Sequence, residues 1–320
     1  MNIAAITKLR FFKPREKKMN IYTKTNKILG AAVIASFTFI GVAQANECEN
    51  PEVIRFSMIP TEETTQELSL YKPLVNQIKA ATGKNVEFFL PTSYASVVEA
   101  MLGGFVDLGM HGPYSYVIAQ EKDPELRVIT TYAKHKGHFQ EEGPGYKAVL
   151  VARADSGFNT LEDIKGAVIG LTDPASTSGN LLPRVSFTKV IGSDLEDYFS
   201  RVVYTGGHDL SAVAVFEGQV DAAFVATHRL DNVLDRGIAT MEDYVVLWSS
   251  PVIPQDPFVV NGRLCPELID QIQNAFLTLS DSEEGQKYLN NVNASKFVPM
   301  TDADYDIIRD LKAAKDAKKN

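Results

Sequence analysis

From Val53 onward the chain alternates between apolar runs of about five residues and stretches whose apolar side chains recur every three or four positions. The runs fall at 53–59, 86–90, 106–110, 126–132, 148–152, 167–171, 202–204, 222–225 and 244–248. Continuous apolar runs of this length read as strands buried on both faces. Between them, Tyr94, Val97, Val98, Met101 and Leu102 follow a capping Ser93 at helical spacing, and Gly112-Pro113 opens another helix. Further helices are expected at about 66–81, at 160–164, from Ser178, from His208 and over 227–234. Beyond Trp248 the pattern reads as mostly helical, at 266–279, 282–290 and 302–314. Short strands alternating with helices imply an α/β fold with largely parallel sheets, because parallel neighbours need a crossover between them.

Two turn-rich stretches interrupt the alternation. One is Glu141-Glu142-Gly143-Pro144-Gly145 and the other runs from Ser249-Ser250-Pro251 to Pro254. Read as crossings near 141–146 and 249–256, they divide the chain into lobe one (46–143 plus 255–320) and lobe two (146–249). Two α/β lobes joined by two strands make a hinged clamshell.

The first 45 residues read as an address. Residues 1–27 carry eight Lys/Arg and a single acid, Glu16; an apolar run follows at 28–42, then Ala43-Gln44-Ala45. A basic start, a short apolar stretch and an A-x-A site describe a secretory signal peptide cut after Ala45. The apolar run is shorter than the roughly 20 residues of a spanning helix. Its removal takes eight of the 32 basic residues and one of the 40 acidic ones, leaving a net charge of −15. So acidic a chain argues against non-specific nucleic-acid binding. The expected location is the periplasm, where Cys48 and Cys265, the only two cysteines, can pair.

Ligands of open α/β sheets sit beyond the carboxyl ends of strands, so the strand-to-helix turns carry the chemistry. The turn after Leu171 is Thr172-Asp173-Pro174-Ala175-Ser176-Thr177-Ser178-Gly179. Three consecutive hydroxyls at a helix start, followed by a glycine that exposes backbone N–H groups, suit an oxyanion without any Lys or Arg. Capping alone needs one hydroxyl and is the alternative. Similar donors stand at Thr64-Thr65, Thr92-Ser93-Tyr94, His111-Gly112-Pro113 and Gly206-Gly207-His208-Asp209. Any one alone reads as ordinary capping; together they favour a small anion held by neutral donors.

Common enzyme signatures are missing: no G-x-S-x-G, no GxxxxGK[ST], no H-E-x-x-H and no G-x-G-x-x-G. His135-Lys136-Gly137-His138 reads as a solvated loop rather than a metal pair, and no metal or cofactor is expected.

At these residues the chain resembles the periplasmic phosphonate/phosphite-binding proteins of ABC importers. The resemblance rests on Asp173-Pro174-x-Ser176-Thr177-Ser178-Gly179-x-Leu181-x-Pro183, on His208-Asp209-x-Ser211-Ala212-Val213 with Gly218-Gln219-Val220-Asp221-Ala222, and on Ser250-Pro251-Val252-Ile253-Pro254-Gln255-Asp256-Pro257. Ser93-Tyr94-Ala95 and Val106-Asp107 extend it toward the N-terminus. It covers essentially the whole chain after residue 45. It implies a two-lobed, type II-like periplasmic binding-protein clamshell that hands a phosphorus oxyanion to an inner-membrane permease and works as a monomer. Carried over by position, Ser176, Thr177, Ser178 and His208 hold the phosphorus oxygens and Tyr94 donates from the other lobe; Thr65, from the turn after the first strand, completes the candidate ligand set on the turn reading alone.

The chain departs from the aminoalkylphosphonate binders at the substituent end. His111 stands where they carry an aromatic donor, and Thr227-His228 where they carry a glutamate; their following aspartate corresponds to Asp256. The expected ligand is therefore phosphite or a methylphosphonate-like phosphonate, with 2-aminoethylphosphonate or another oxyanion such as a sulfonate as alternatives. The competing class is a periplasmic serine phosphatase or esterase, with Ser176 or Ser178 as nucleophile, His208 as base and Asp221 as orienting group.

Overall fold

The computed structural model describes residues 48–60 and 69–318. The expected signal segment, Thr64, Thr65 and the start of the helix expected from residue 66 lie outside them. Among the described residues no helix is long and apolar enough to cross a membrane.

The first part of the chain runs β1 (Val53–Met58), α1 (Lys72–Thr82), β2 (Asn85–Phe89), α2 (Tyr94–Leu102), β3 (Leu108–Met110), α3 (Pro113–Lys122) and β4 (Arg127–Lys134). After β5 (Gly145–Tyr146) come β6 (Ala148–Arg153) and β7 (Val168–Leu171). They are followed by α4 (Thr188–Ile191), α5 (Leu195–Tyr198), β8 (Arg201–Tyr204), α6 (His208–Phe216), β9 (Ala222–Ala226), α7 (Thr227–Asp235) and β10 (Tyr244–Ser249). The chain ends with β11 (Ile253–Pro254), β12 (Phe258–Val260), α8 (Pro266–Leu277), α9 (Glu283–Asn291), β13 (Ala294–Val298) and α10 (Asp306–Ala317).

These strands form two principal sheets. One has the order β13-β4-β12-β3-β1-β2 and the other β10-β6-β9-β7-β8; the ribbon β5–β11 forms a third, two-stranded sheet. The ribbon pairs Ile253 with Tyr146 and Pro254 with Gly145, so the two stretches that interrupt the alternation run side by side. The sheets are mixed rather than largely parallel. β1 is parallel to β2 and β3, and β7 to β8 and β9, each with a crossover between. The strands next to the interruptions run the other way: β6 against β9, β10 against β6, and β12 against β3 and β4.

Two strands stand where only helices were expected. β12 is a three-residue apolar run behind a proline, and β13 (ASKFV) is interrupted by Ser295 and Lys296, so neither carries a long apolar signal. Residues 160–164 form turns rather than a helix. The helix expected from Ser178 begins instead as two wide π-type turns, Thr177–Leu181 and Pro183–Phe187, before α4.

Each principal sheet has its own aromatic core. In the six-stranded sheet Phe258 sits 4.8 Å from Phe276, 5.2 Å from Tyr132 and 5.4 Å from Phe297, measured between ring centroids. In the five-stranded sheet Phe187 packs edge-on to Phe224 and Trp248 at 5.0 and 5.5 Å. Burying such rings contributes both apolar area and favourable edge contacts. The Cys48 and Cys265 sulfurs lie within bonding distance, with Cα atoms 4.7 Å apart. They tie the segment before β1 to the start of α8, and Glu49 reinforces the junction through backbone bonds to Arg263 and Cys265.

Candidate functional site

Five strand-to-helix turns converge on one small cavity. From the six-stranded sheet come Tyr94, Gly112 and Asp256. From the five-stranded sheet come Ser176, Thr177, His208, Ala226 and His228, and the ribbon supplies Tyr146. Tyr94, Thr177 and His208 are first residues of their helices or turns, while Gly112, Ser176 and Ala226 are the residues just before one. The positive ends of helix dipoles therefore face a common space.

Local sequence places each donor. Ser93 and Ser96 form a reciprocal capping box that starts α2 at Tyr94. Pro113 fixes the first turn of α3. Ser176 Oγ accepts the Gly179 N–H at 3.1 Å, closing the first π-type turn. Gly179 is required by packing: a Cβ there would meet Thr172 Oγ1 at 2.1 Å and His208 Cε1 at 3.1 Å. The expectation that this glycine opens backbone to a ligand is thus corrected, since its free face is covered by Thr172 and His208.

His208 organises the hydroxyls. Its Nδ1 accepts the backbone N–H of Ala226 at 3.1 Å and lies 3.0 Å from Thr172 Oγ1. Its Nε2 lies 3.2 Å from Ser176 Oγ and 3.1 Å from Ser178 Oγ. Burial, joined by the charge of Arg229, pushes its pKa down to about 3, so the ring is neutral at pH 7. A backbone N–H can only donate, so Nδ1 is the acceptor and the single ring proton sits on Nε2. His208 therefore donates toward Ser176 and Ser178.

The two phenols are donors as well. Burial, followed by the Asp256 charge, raises the pKa of both Tyr94 and Tyr146 above the ordinary tyrosine value. The side chains of Ser178 and Thr177 beside the Tyr146 hydroxyl oppose part of that rise. Two bonds join the elements of the two sheets across the cavity: Tyr94 N–H to Asp173 Oδ2 at 3.4 Å, and Tyr114 N–H to Thr177 Oγ1 at 2.8 Å.

A second small cavity shares His228 and Asp256 with the first and adds Lys134, Arg229, Asn232 and Gln255. Asp256 Oδ2 lies 3.6 Å from Arg229 and 3.7 Å from His228 Nε2. Burial raises the Asp256 pKa, with Arg229 the main opposing influence. His228 stands edge-on to the Tyr146 ring at 4.8 Å, and its pKa is held well below the usual value by burial and then by Arg229.

Of the residues singled out in the sequence, Tyr94, Ser176, Thr177, His208, His228 and Asp256 line the first cavity. Ser178 is fully buried and reaches its edge through His208. His111 is fully buried but lines neither cavity; its ring lies over Gly109, whose Cβ would stand 3.0 Å from Nε2. Asp221 cannot orient His208, because its carboxylate accepts the N–H of Val168 at the opposite end of β7 from Thr172. Thr65 lies outside the described residues.

The sequence reading missed four side chains. Tyr146 sits in a stretch read only as a crossing, and Thr172 acts from behind His208. Lys134 and Arg229 are 5% and 8% exposed, so the expectation of a site without Lys or Arg fails for the second cavity. The available signal for Arg229 was its position directly after Thr227-His228 at a helix start. Among the described residues no group of three or more His, Cys, Asp or Glu is arranged to hold a metal.

Residues 56–305 match the family model described as ABC transporter, phosphonate, periplasmic substrate-binding protein. The phosphate-import protein PhnD of Mycolicibacterium smegmatis is 34% identical over 275 residues, 81% of this chain and 84% of that one. The phosphonates-binding periplasmic protein of Escherichia coli is 28% identical over 294 residues, 88% of this chain and 85% of that one. A binding-protein component of an ABC phosphonate transporter from Pseudomonas aeruginosa superposes with a TM-score of 0.75 at 27% identity, covering 83% of this chain and 87% of that one. A protein from Prochlorococcus marinus solved with methylphosphonate shares the fold, with a TM-score of 0.72 at 19% identity and coverage of 82% and 98%. A mixed α/β, two-lobed architecture, a cavity of convergent helix starts and a family match over most of its length place this chain among the periplasmic substrate-binding proteins of phosphonate ABC transporters.

Proposed function

We propose that this protein captures a small phosphorus oxyanion between its two lobes, without chemical change, and delivers it to an inner-membrane permease. The observation that carries this reading is the cavity of helix starts in which Tyr94, Ser176, Thr177 and His208 Nε2 all supply neutral donors. Such donors suit a tetrahedral anion. The relatives named above as phosphate-import and phosphonates-binding proteins agree on the phosphorus end and differ on its substituent.

In this reading lobe one is 46–143 plus 255–320, lobe two is 146–249, and the β5–β11 ribbon lies at the hinge. Ligand entering the open cleft replaces water on the donors, and the bonds across the cavity favour the closed form. Residues 1–45 direct export and are removed, and the mature protein acts as a monomer.

The arrangement of His208 favours binding over serine hydrolysis. A base that activates serine must have a free acceptor facing the hydroxyl. Here the Ala226 N–H occupies Nδ1 and the proton faces the serines.

Calorimetry of the exported protein against phosphite, methylphosphonate, phosphate, 2-aminoethylphosphonate and an alkanesulfonate tests the reading. Tight binding of a phosphorus ligand is expected. Binding of the sulfonate alone, or turnover of phosphate esters abolished by Ser178→Ala, would overturn it.

A further inference from the structure

Asp256 is the only carboxylate among the described residues lining the first cavity. A buried carboxylate beside a site built for an anion is unfavourable unless a cation accompanies it. Such a cation can come from the ligand or from the protein. Here the protein supplies it: the Arg229 guanidinium stands 3.6 Å from Asp256 Oδ2, and both side chains are at least nine-tenths buried.

The placement of the pair adds direction. Asp256 borders both cavities, whereas Arg229 borders only the second, together with Lys134. A ligand with its phosphorus oxygens on Ser176, Thr177 and His208 points any substituent that reaches past Asp256 at these two cations. The imidazole of His228, 3.7 Å from the same carboxylate oxygen, narrows the passage between the cavities. An ammonium arriving there meets two cations and a carboxylate that is already paired.

We infer that Arg229 is the internal counter-ion of Asp256 and the residue that sets substituent specificity, excluding phosphonates that carry an ammonium group. The inference rests on the phosphorus-oxyanion reading of the first cavity. Arg229 acts through Asp256 and through its own charge; it is a positioning residue and does not hold the phosphorus oxygens.

The test is a ratio of affinities, which a general loss of structure does not change. Dissociation constants for methylphosphonate and 2-aminoethylphosphonate are measured by calorimetry at pH 7.5 on the exported protein and on Arg229→Met, Arg229→Gln and Arg229→Lys. The unmodified protein is expected to bind methylphosphonate at least about tenfold more tightly. Arg229→Met should close or reverse that preference, because it frees the Asp256 carboxylate to pair with the ligand's ammonium, whereas Arg229→Lys should keep it. Arg229→Gln retains hydrogen bonding to Asp256 without charge and gives the same reversal should the Met variant fold poorly. Equal or tighter binding of 2-aminoethylphosphonate by the unmodified protein overturns the inference while leaving the oxyanion site standing. So does an unchanged ratio in both uncharged variants. Absence of binding to any phosphorus oxyanion would instead remove the reading beneath it.

Discussion

The Nδ1 atom of His208 accepts the backbone N–H of Ala226 at 3.1 Å, and this bond commits the ring's only proton to the side facing Ser176 and Ser178. Each serine hydroxyl can then accept from Nε2 and turn its own hydrogen into the cavity. Ser178→Ala and Ser176→Ala are each expected to weaken oxyanion binding by about 1–3 kcal/mol, the cost of losing a bond to a charged partner. Ser176→Ala should also lower stability by about 1 kcal/mol, because its Oγ caps the Gly179 N–H. Calorimetry and thermal unfolding separate the two effects; unchanged affinity in both variants would contradict the site.

Buried neutral histidines make folding sensitive to acid. Burial lowers the pKa of His111 to about 4 and that of His208 to about 3. In the unfolded chain both titrate near 6.5, so between roughly pH 6.5 and 4 the unfolded state binds more protons and stability falls as pH falls. At pH 4.5 the His111 contribution alone is about 2–3 kcal/mol. Asp256, whose pKa is raised by burial, takes up a proton in the folded state and offsets part of this loss. Denaturant unfolding at pH 7.0 and 4.5 should show the loss, and His111→Gln should reduce it. An identical pH dependence in the variant would count against the assignment.

The legible parts of the molecule were those with strong local signals. Ser93, Gly112-Pro113 and the Ser176-Thr177-Ser178 run announce helix starts through capping and proline chemistry, and all lie around the cavity. The antiparallel strands β12 and β13 escaped notice because three residues after Pro257, or a five-residue segment broken by Ser295 and Lys296, carry no long continuous apolar run. Arg229 and Tyr146 were missed for another reason. Their roles come from packing against residues distant in sequence, and a buried arginine on a helix reads like any solvated one until its partner Asp256 is placed.

Gly179 has no space for a side chain. An added methyl would overlap Thr172 Oγ1 and Cβ, at 2.1 and 2.4 Å, in fully buried surroundings. Gly179→Ala should therefore cost about 1–3 kcal/mol or more through overpacking. The displaced Thr172 and His208 should weaken ligand binding in parallel. A melting temperature and affinity matching the unmodified protein would show that the turn relaxes freely.

Cys48 and Cys265 are 217 residues apart in sequence, so a bond between them closes a very long loop in the unfolded chain. It is expected to contribute about 2–4 kcal/mol. Protein recovered from the periplasm should show no thiol on titration in denaturant and should lose stability on reduction. Two titratable thiols in that protein would show that the pair is not bonded there.

In the proposed clamshell, closure and ligand capture share side chains. Thr177 lines the cavity and its Oγ1 accepts the Tyr114 N–H at 2.8 Å, a bond from the five-stranded sheet's turn to the start of α3 beside the six-stranded sheet. Opening of the proposed cleft would break it, along with the longer bond from Tyr94 N–H to Asp173. Ligand should therefore make the protein more compact in small-angle scattering. Thr177→Val keeps the shape of the side chain but removes the acceptor, leaving the Tyr114 N–H unpaired in the closed form at a cost of about 1–3 kcal/mol. At ligand concentrations that close the unmodified protein, this variant should remain measurably more extended, and only a large excess of ligand should compact it. Identical dimensions with and without saturating ligand in the unmodified protein would rule out the hinge, whereas full compaction of the variant at the same ligand concentration would show that the Tyr114–Thr177 bond does not hold the lobes together.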